Sequence, residues 1–199
     1  MSAAMRSGGS RKLEGRTALV TGGGTVLGRA IALALSARGV GIVVTGRDEK
    51  ALGETVGEVV YGGGKARHLA GEPGDASHLG AAAERASSVF GSLDIVVLAD
   101  SEAVELAAKT LAARIGPAGR LLVALPGRAG GPSSLLVREV ALSAAERGIT
   151  CNAILVEPEE AEDAADDVAE LAVHLCSSAG ARITGQTVFL GHEARTPAP

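Results

Sequence analysis

The sequence predicts an α/β fold, a single doubly wound sheet of seven parallel strands, and three observations carry that reading. Short apolar runs of strand length alternate with stretches of helical apolar periodicity along the whole chain. The first such run, within GRTALVTGGGTVLGRAIALALSARGVGIVVTGR at residues 15–47, enters a glycine-rich turn, then a helix, then a second strand, the layout of a unit whose two strands lie parallel. The 199 residues, 46% of them hydrophobic, suffice for one core covering both faces of such a sheet, and no internal repeat breaks the alternation.

In order along the chain, residues 17–20 read as a buried strand and 21–25 as the turn. From Val26 onward Leu27, Ala30, Ile31, Ala34 and Leu35 fall at helical spacing until Gly39 stops the helix near residue 38. Strands are predicted near residues 16–21, 40–45, 65–70, 93–98, 119–125, 149–155 and 186–190, with helices in the intervals. The later helices are expected at 102–115, 132–147 and 163–177, the last opening on acidic residues that suit its dipole, and 180–185 reads as a loop. Right-handed crossovers then give the strand order 3-2-1-4-5-6-7 of a Rossmann-like sheet. Residues 13–191 form the domain, with 1–12 a flexible N-terminal arm and 192–199 a flexible tail.

Composition narrows the function classes. A formal net charge of −4 provides no broad basic surface, and with one Tyr, two Phe and no Trp there is no base-stacking platform, so nucleic acid is excluded as a partner. MSAAMRSGGSRK has no apolar core for a signal peptide, and no apolar run reaches membrane-spanning length, which places the chain in the cytoplasm and away from membranes. Cys151 and Cys176 lack metal spacing and read as small buried hydrophobes in a reducing compartment. His68, His78, His174 and His192 are isolated, and the acidic run at 157–167 reads as helix-leading acids and a solvated face; no metal is expected.

The turn at 21–28 is chemically suggestive because backbone N–H groups at a helix start attract anions, and glycines let a pyrophosphate approach the main chain. Thr21, Gly22 and Gly28 here resemble the T-G-x-x-x-G-x-G fingerprint of the short-chain dehydrogenase/reductase family, and the resemblance runs from Leu13 to about Leu190, closest in pattern to the β-ketoacyl-carrier-protein reductases. Val26 stands where that fingerprint has its middle glycine, a β-branched side chain at the point of closest approach to the phosphates. The resemblance implies a cofactor-binding set of Gly22, Gly24, Thr25, Leu27, Gly28, Arg47, Glu72 and Ala99, and NADP as a ligand held weakly or lost. Glu72 stands where the family has an aspartate meeting the adenine. For Arg47 two readings stay open: a base for the 2′-phosphate, or a solvated arginine at a helix start.

The family's chemical landmarks are absent. LDIVV leads into Leu98, Ala99, Asp100 and Ser101 instead of N-N-A-G, and the catalytic serine's place falls at Leu125 and Pro126. The Tyr-x-x-x-Lys pair, a proton donor and the base that tunes it, maps near Pro126 and Gly130. Asn152, the single asparagine, lies in RGITCNAI, a structural segment. The string YGGGK at 61–65 spells Tyr-x-x-x-Lys, but Gly62, Gly63 and Gly64 break a helix and read as a turn. Between the sixth strand and the last helix only residues 158–162 stand in place of a substrate lid. No catalytic residue is therefore assigned.

Three function classes follow from the resemblance. One is an inactive subunit that assembles with itself or with an active NADP-dependent short-chain reductase. Its apolar contacts would be Val104, Ala107, Ala108, Leu111 and Ile115 on the helix at 102–115, with Leu135, Leu142 and Ala145 on the next helix, outside the sheet-facing row Leu136, Val140 and Ala144. Another is an NADP-dependent reductase of ketones or 3-oxoacyl thioesters whose acid has moved, with Ser133, Ser134 or Arg128 as candidates. The third is a nucleotide-sensing regulatory module using the adenine half alone.

Overall fold

A computed structural model describes residues 13–127 and 132–191. Its seven strands are β1 (Thr17–Thr21), β2 (Gly41–Gly46), β3 (Ala66–Ala70), β4 (Ile95–Leu98), β5 (Arg120–Pro126), β6 (Thr150–Val156) and β7 (Thr187–Leu190). They form one sheet in the order β3-β2-β1-β4-β5-β6-β7, every neighbouring pair parallel. The helices are α1 (Val26–Ser36), α2 (Glu49–Tyr61), α3 (Ala76–Phe90), α4 (Val104–Ala112), α5 (Pro132–Ser143) and α6 (Ala165–Cys176). The expected arm at 1–12 and tail at 192–199 lie outside the described residues, as do Arg128, Gly130 and His192.

The period-2 geometry of a strand sends alternate side chains to opposite faces, and both faces here are dry. Ala18, Val20, Leu122, Ala124, Ile154 and Val156 pack under α1 and α6. Leu19, Val96, Leu98, Leu121, Val123 and Ala153 meet α3, α4 and α5 from the other side. A parallel sheet buried on both faces needs such continuous apolar runs.

The ends of the elements follow local chemistry. Thr25, Asp48 and Asp75 cap α1, α2 and α3 by accepting amides of the first turn. Helix α4 is shorter than the expected 102–115, because Asp100 Oδ1 accepts the Glu102 amide at 2.9 Å and Ala103 takes φ 55°, so the chain turns before the helix starts. The predicted helix at 132–147 divides into α5 and a 3-10 turn at Ala145–Arg147. The row of α5 facing the sheet is Val137, Val140, Ala141 and Ala144; Leu136, expected there, is half-buried at its margin.

Asn152 is structural, as read from the sequence. Its Nδ2 donates to Ile183 O at 2.8 Å and its Oδ1 accepts from Gln186 N at 3.1 Å, tying the loop before β7 to β6. Both thiols are buried, and burial pushes Cys151 and Cys176 up to about 12. Among the described residues no helix is long and apolar enough to cross a membrane, and no group of three metal-ligating side chains is placed to hold an ion.

Candidate functional site

In an open parallel sheet, ligands bind beyond the carboxyl ends of the strands where the strand order reverses. Here that point is β1, flanked by β2 and β4. The loops leaving β1, β2, β3 and β4 carry Gly22 to Thr25, Arg47, Glu72, and Ala99 to Glu102, so the topology gathers at one edge every position expected to bind a cofactor.

The glycine turn is folded ready for an anion. Gly22 takes φ +64°, and a Cβ on it would come within 2.6 Å of Ala99 O, so only glycine fits between β1 and the β4 loop. A Cβ on Gly28 would run into Gly22 O, and one on Gly24 would lie 2.8 Å from Ala51 Cβ. Thr25 Oγ1 lies 2.8 Å from Gly22 O and 3.2 Å from Ala99 O, either of which its proton can reach, and accepts the Gly28 amide at 3.1 Å. Arg29 N donates to Thr25 O at 2.9 Å. The first-turn amides of Val26 and Leu27 are left for solvent or a ligand. Leu27 thus contributes an amide and nothing more, since its side chain is 2% exposed in the core, and Gly28 contributes packing, its amide being taken.

Val26 carries no backbone strain, since its φ is not positive; it is the first residue of α1 and is 47% exposed. Any obstruction it causes is steric, from two methyl groups beside the amides a phosphate would use.

Arg47 is not a free base. Its Nη2 donates to Glu102 Oε2, and its Nε lies 3.8 Å from Glu72 Oε2. The structure therefore unites Arg47 and Glu72, both expected at the site, and adds Glu102, which the sequence reading placed at the start of a helix and gave no role. His78, read as isolated, is also engaged. Its Nε2 is 2.6 Å from Thr45 Oγ1, and since that hydroxyl's single proton can go to Leu69 O at 2.7 Å, His78 supplies the proton of the other bond. No spacing rule links residues 45 and 78; only the β2–α3 packing does.

Among the described residues, the end of β5 is apolar. Leu125 is buried, Pro126 pairs with Val156 at the end of the β5–β6 ladder, and Gly127 N is used by Val156 O at 2.8 Å. Tyr61 is 96% exposed on the last residue of α2, followed by Gly62 and Gly63 at φ +84°. Helix α2 ends there, and Tyr61 and Lys65 precede β3 at the amino ends of the strands, whereas the turn lies at their carboxyl ends. Between β6 and α6 the chain makes only a 3-10 turn at Pro158–Glu160 and a short link.

A dinucleotide, the cofactor this architecture implies, thus fits in part. The amides of Val26 and Leu27 and the glycine turn suit its pyrophosphate, and its nicotinamide would supply a hydride carrier when bound, whereas Arg47 is already paired with carboxylates.

The chain is similar to known proteins in sequence over part of its length and in fold over most of it. Residues 16–109 match the family model of short chain dehydrogenases. An uncharacterized oxidoreductase of Bacillus subtilis, YhxC, is 35% identical over 89 residues, 44% of this chain and 31% of that protein. A cyclohexanol dehydrogenase of Acinetobacter is 36% identical over 86 residues, 43% of this chain and 34% of that protein. The matched stretch thus spans about a third of these relatives' length. A short chain dehydrogenase from Burkholderia cenocepacia, solved in complex with NADP, superposes with a TM-score of 0.80 at 22% identity, covering 91% of this chain and 98% of that one.

Proposed function

We propose that the chain, whose residues 16–109 match the short chain dehydrogenase model, is a member of the short-chain dehydrogenase/reductase family and serves there as a non-catalytic subunit, joined to its own copies or to an active NADP-dependent reductase of the same fold. One observation carries this reading: where β5 ends, Leu125 and Pro126 stand, and the chain's single tyrosine precedes β3, at the amino ends of the strands. General acid–base chemistry needs a proton-carrying group within about 3 Å of the reacting atom, and hydrocarbon side chains supply none.

The helices support the assembly half of the reading on a narrower surface than the sequence suggested. Ala107, Ala108, Leu111 and Ile115 are consumed by the chain's own core, because α4 turns its apolar stripe to the sheet; they have nothing to offer a partner. Leu135 and Leu142 on α5 are 74% and 79% exposed. Seven residues apart, they lie on one stripe two turns in length, the arrangement of an interface rather than of a solvated helix. The subunit's place is the cytoplasm, where buried thiols stay reduced. Its own nucleotide site, built on the glycine turn, is retained with weak affinity, and that intact turn also favours a second reading as a nucleotide-sensing module.

Purification of the chain from its native source, followed by mass analysis of what accompanies it, tests the proposal. A full-length short-chain reductase in equal amount is the expected result, and Leu142→Glu should release it without unfolding the chain. A chain that is monomeric at micromolar concentration and recovered alone would leave the sensing module as the better account.

A further inference from the structure

We propose that Arg16, Arg120 and Thr150, at the amino ends of β1, β5 and β6, hold a small inorganic anion of chloride size beneath the last turn of α6. The inference concerns the end of the sheet opposite the glycine turn and does not depend on what that turn binds.

Strand geometry brings the three residues to one place. Arg120 opens β5 in register with Thr150, which opens β6, so both side chains leave the sheet on the face of Leu122, Ala124 and Ile154. Arg16 stands two residues before Ala18 and shares its face by the period of a strand; Gly41 N donates to its carbonyl at 2.9 Å, extending the β1–β2 ladder. Cys176, the last residue of α6, is buried on the same face. Its thiol feels the charge of both arginines, and Arg120 feels that of Arg16.

The hydrogen bonds and charges at this place do not balance within the chain. Arg120 and Thr150 are each 5% exposed. Arg120 Nη1 donates to Ala118 O at 2.7 Å and to Gly119 O at 2.8 Å. Its Nε, Arg16 Nη1 and Thr150 Oγ1 are buried with no hydrogen-bond partner among the described residues, and neither guanidinium has a carboxylate within ion-pair reach. The acids on adjoining elements are spent elsewhere. Asp94, whose carbonyl accepts the Arg120 amide at 2.8 Å, turns its carboxylate to the Thr17 amide at 2.9 Å and the Ser92 hydroxyl at 2.6 Å. Glu170 on α6 takes Arg38 at 2.9 Å.

An unpaired buried charge is among the costliest arrangements in a folded chain. Burial, then the charge of Arg16, pushes Arg120 below the usual guanidinium range, yet a guanidinium keeps its proton, so neutralisation has to come from an anion. The carboxyl end of α6 supplies about half a negative charge against two positive ones. The groups left over are donors, one from each residue, a set that suits an anion and repels a cation. With Arg120, Thr150 and Cys176 almost wholly enclosed, a single-atom ion suits the place better than the four oxygens of a phosphate. Such an ion ties β1, β5 and β6 to α6 and stabilises the folded chain alone, since unfolding separates its ligands.

Urea unfolding in chloride, with gluconate holding the ionic strength constant, tests this. Screening is then equal in every sample, and gluconate is too bulky to enter. A roughly tenfold rise in chloride should multiply the ratio of folded to unfolded chain by about threefold or more. Arg16→Gln, at a half-buried position, should abolish the response, and so should Arg120→Gln. A crystal of the unaltered chain soaked in bromide should place the anomalous signal of the halide beside Arg120 Nε. A chloride response that survives Arg16→Gln belongs to another site and overturns the proposal. So does an unaltered chain indifferent to chloride, and so does a bromide-soaked crystal with no halide beside Arg120.

Discussion

At the carboxyl ends of β1, β2 and β3 the chain places Thr25, Arg47 and Glu72, each engaged by a hydrogen bond or ion pair, whereas the end of β5 presents Leu125 and Pro126 beside Val156 of β6. Beneath these loops the two regions are alike. Leu19, Val20 and Val43 on one side, and Leu122, Val123 and Ile154 on the other, are buried to the same degree. The contrast teaches that core and site are under separate control. A sheet needs apolar volume at alternating positions, which many sequences supply, while chemistry needs particular atoms at particular loop ends. Chemistry can therefore be lost on one side of β1 with no cost to packing.

The dryness of the sheet on the β5–β6 side has a signature in alkali. Cys151 on β6 and Cys176 on α6 have folded-state values of about 12 against an ordinary 9, burial being the leading cause in each. Above pH 9 the unfolded chain releases these protons and the folded chain keeps them, so stability is full below 9 and falls as pH rises toward 12. The slope is about 1.4 kcal/mol per thiol per pH unit. Urea unfolding at pH 8 and pH 10 should show the drop, and Cys151→Ala with Cys176→Ala should flatten it. A flat profile in the unaltered chain would mean that water reaches these sites.

Glycines at the two sets of strand ends provide a second contrast. Gly22→Ala combines a positive φ with a collision against Ala99 O, and should cost roughly 3 kcal/mol or more. Gly127→Ala, at the end of β5, meets only Leu155 Cδ2 at 3.8 Å and should stay within about 0.5 kcal/mol of the unaltered chain. Denaturant midpoints of the two variants measure this directly; equal losses would erase the distinction between a built loop and a plain one.

Smaller still is the effect expected at Thr25. Thr25→Val removes the cap on α1 and the bridge to Ala99 O and should cost about 1 kcal/mol, with Thr25→Ser retaining most of it. The measurement is again the urea midpoint.

The sequence revealed the scaffold because its signals are local and redundant. Strand positions are marked by apolar runs such as ALV before Gly22 and GIVV before Thr45, and a parallel order follows from right-handed crossovers. The glycine turn was readable for the same reason: residues 21–28 are contiguous, and their shape is set by glycine and one capping threonine. Tyr61 and Lys65 could be dismissed from Gly62 to Gly64 alone. What escaped were contacts between distant segments. Arg47 was visible as a charge, but its partner Glu102 lies 55 residues away, and His78 reaches Thr45 across 33. The α4 face was misjudged because an apolar stripe looks the same whether a sheet or a partner covers it, and only burial tells them apart.

The central claim, a retained fold whose chemistry has been removed, is tested most directly by the turnover of the purified chain with NADH and NADPH against a panel of ketones and 3-oxoacyl thioesters. A missing general acid and its tuning base each remove factors of about 10² to 10⁴, so the account predicts no cofactor oxidation above the enzyme-free rate with any of them. Steady turnover, abolished by replacing Ser133, Ser134 or Arg128, would contradict it and show a reductase whose acid has moved.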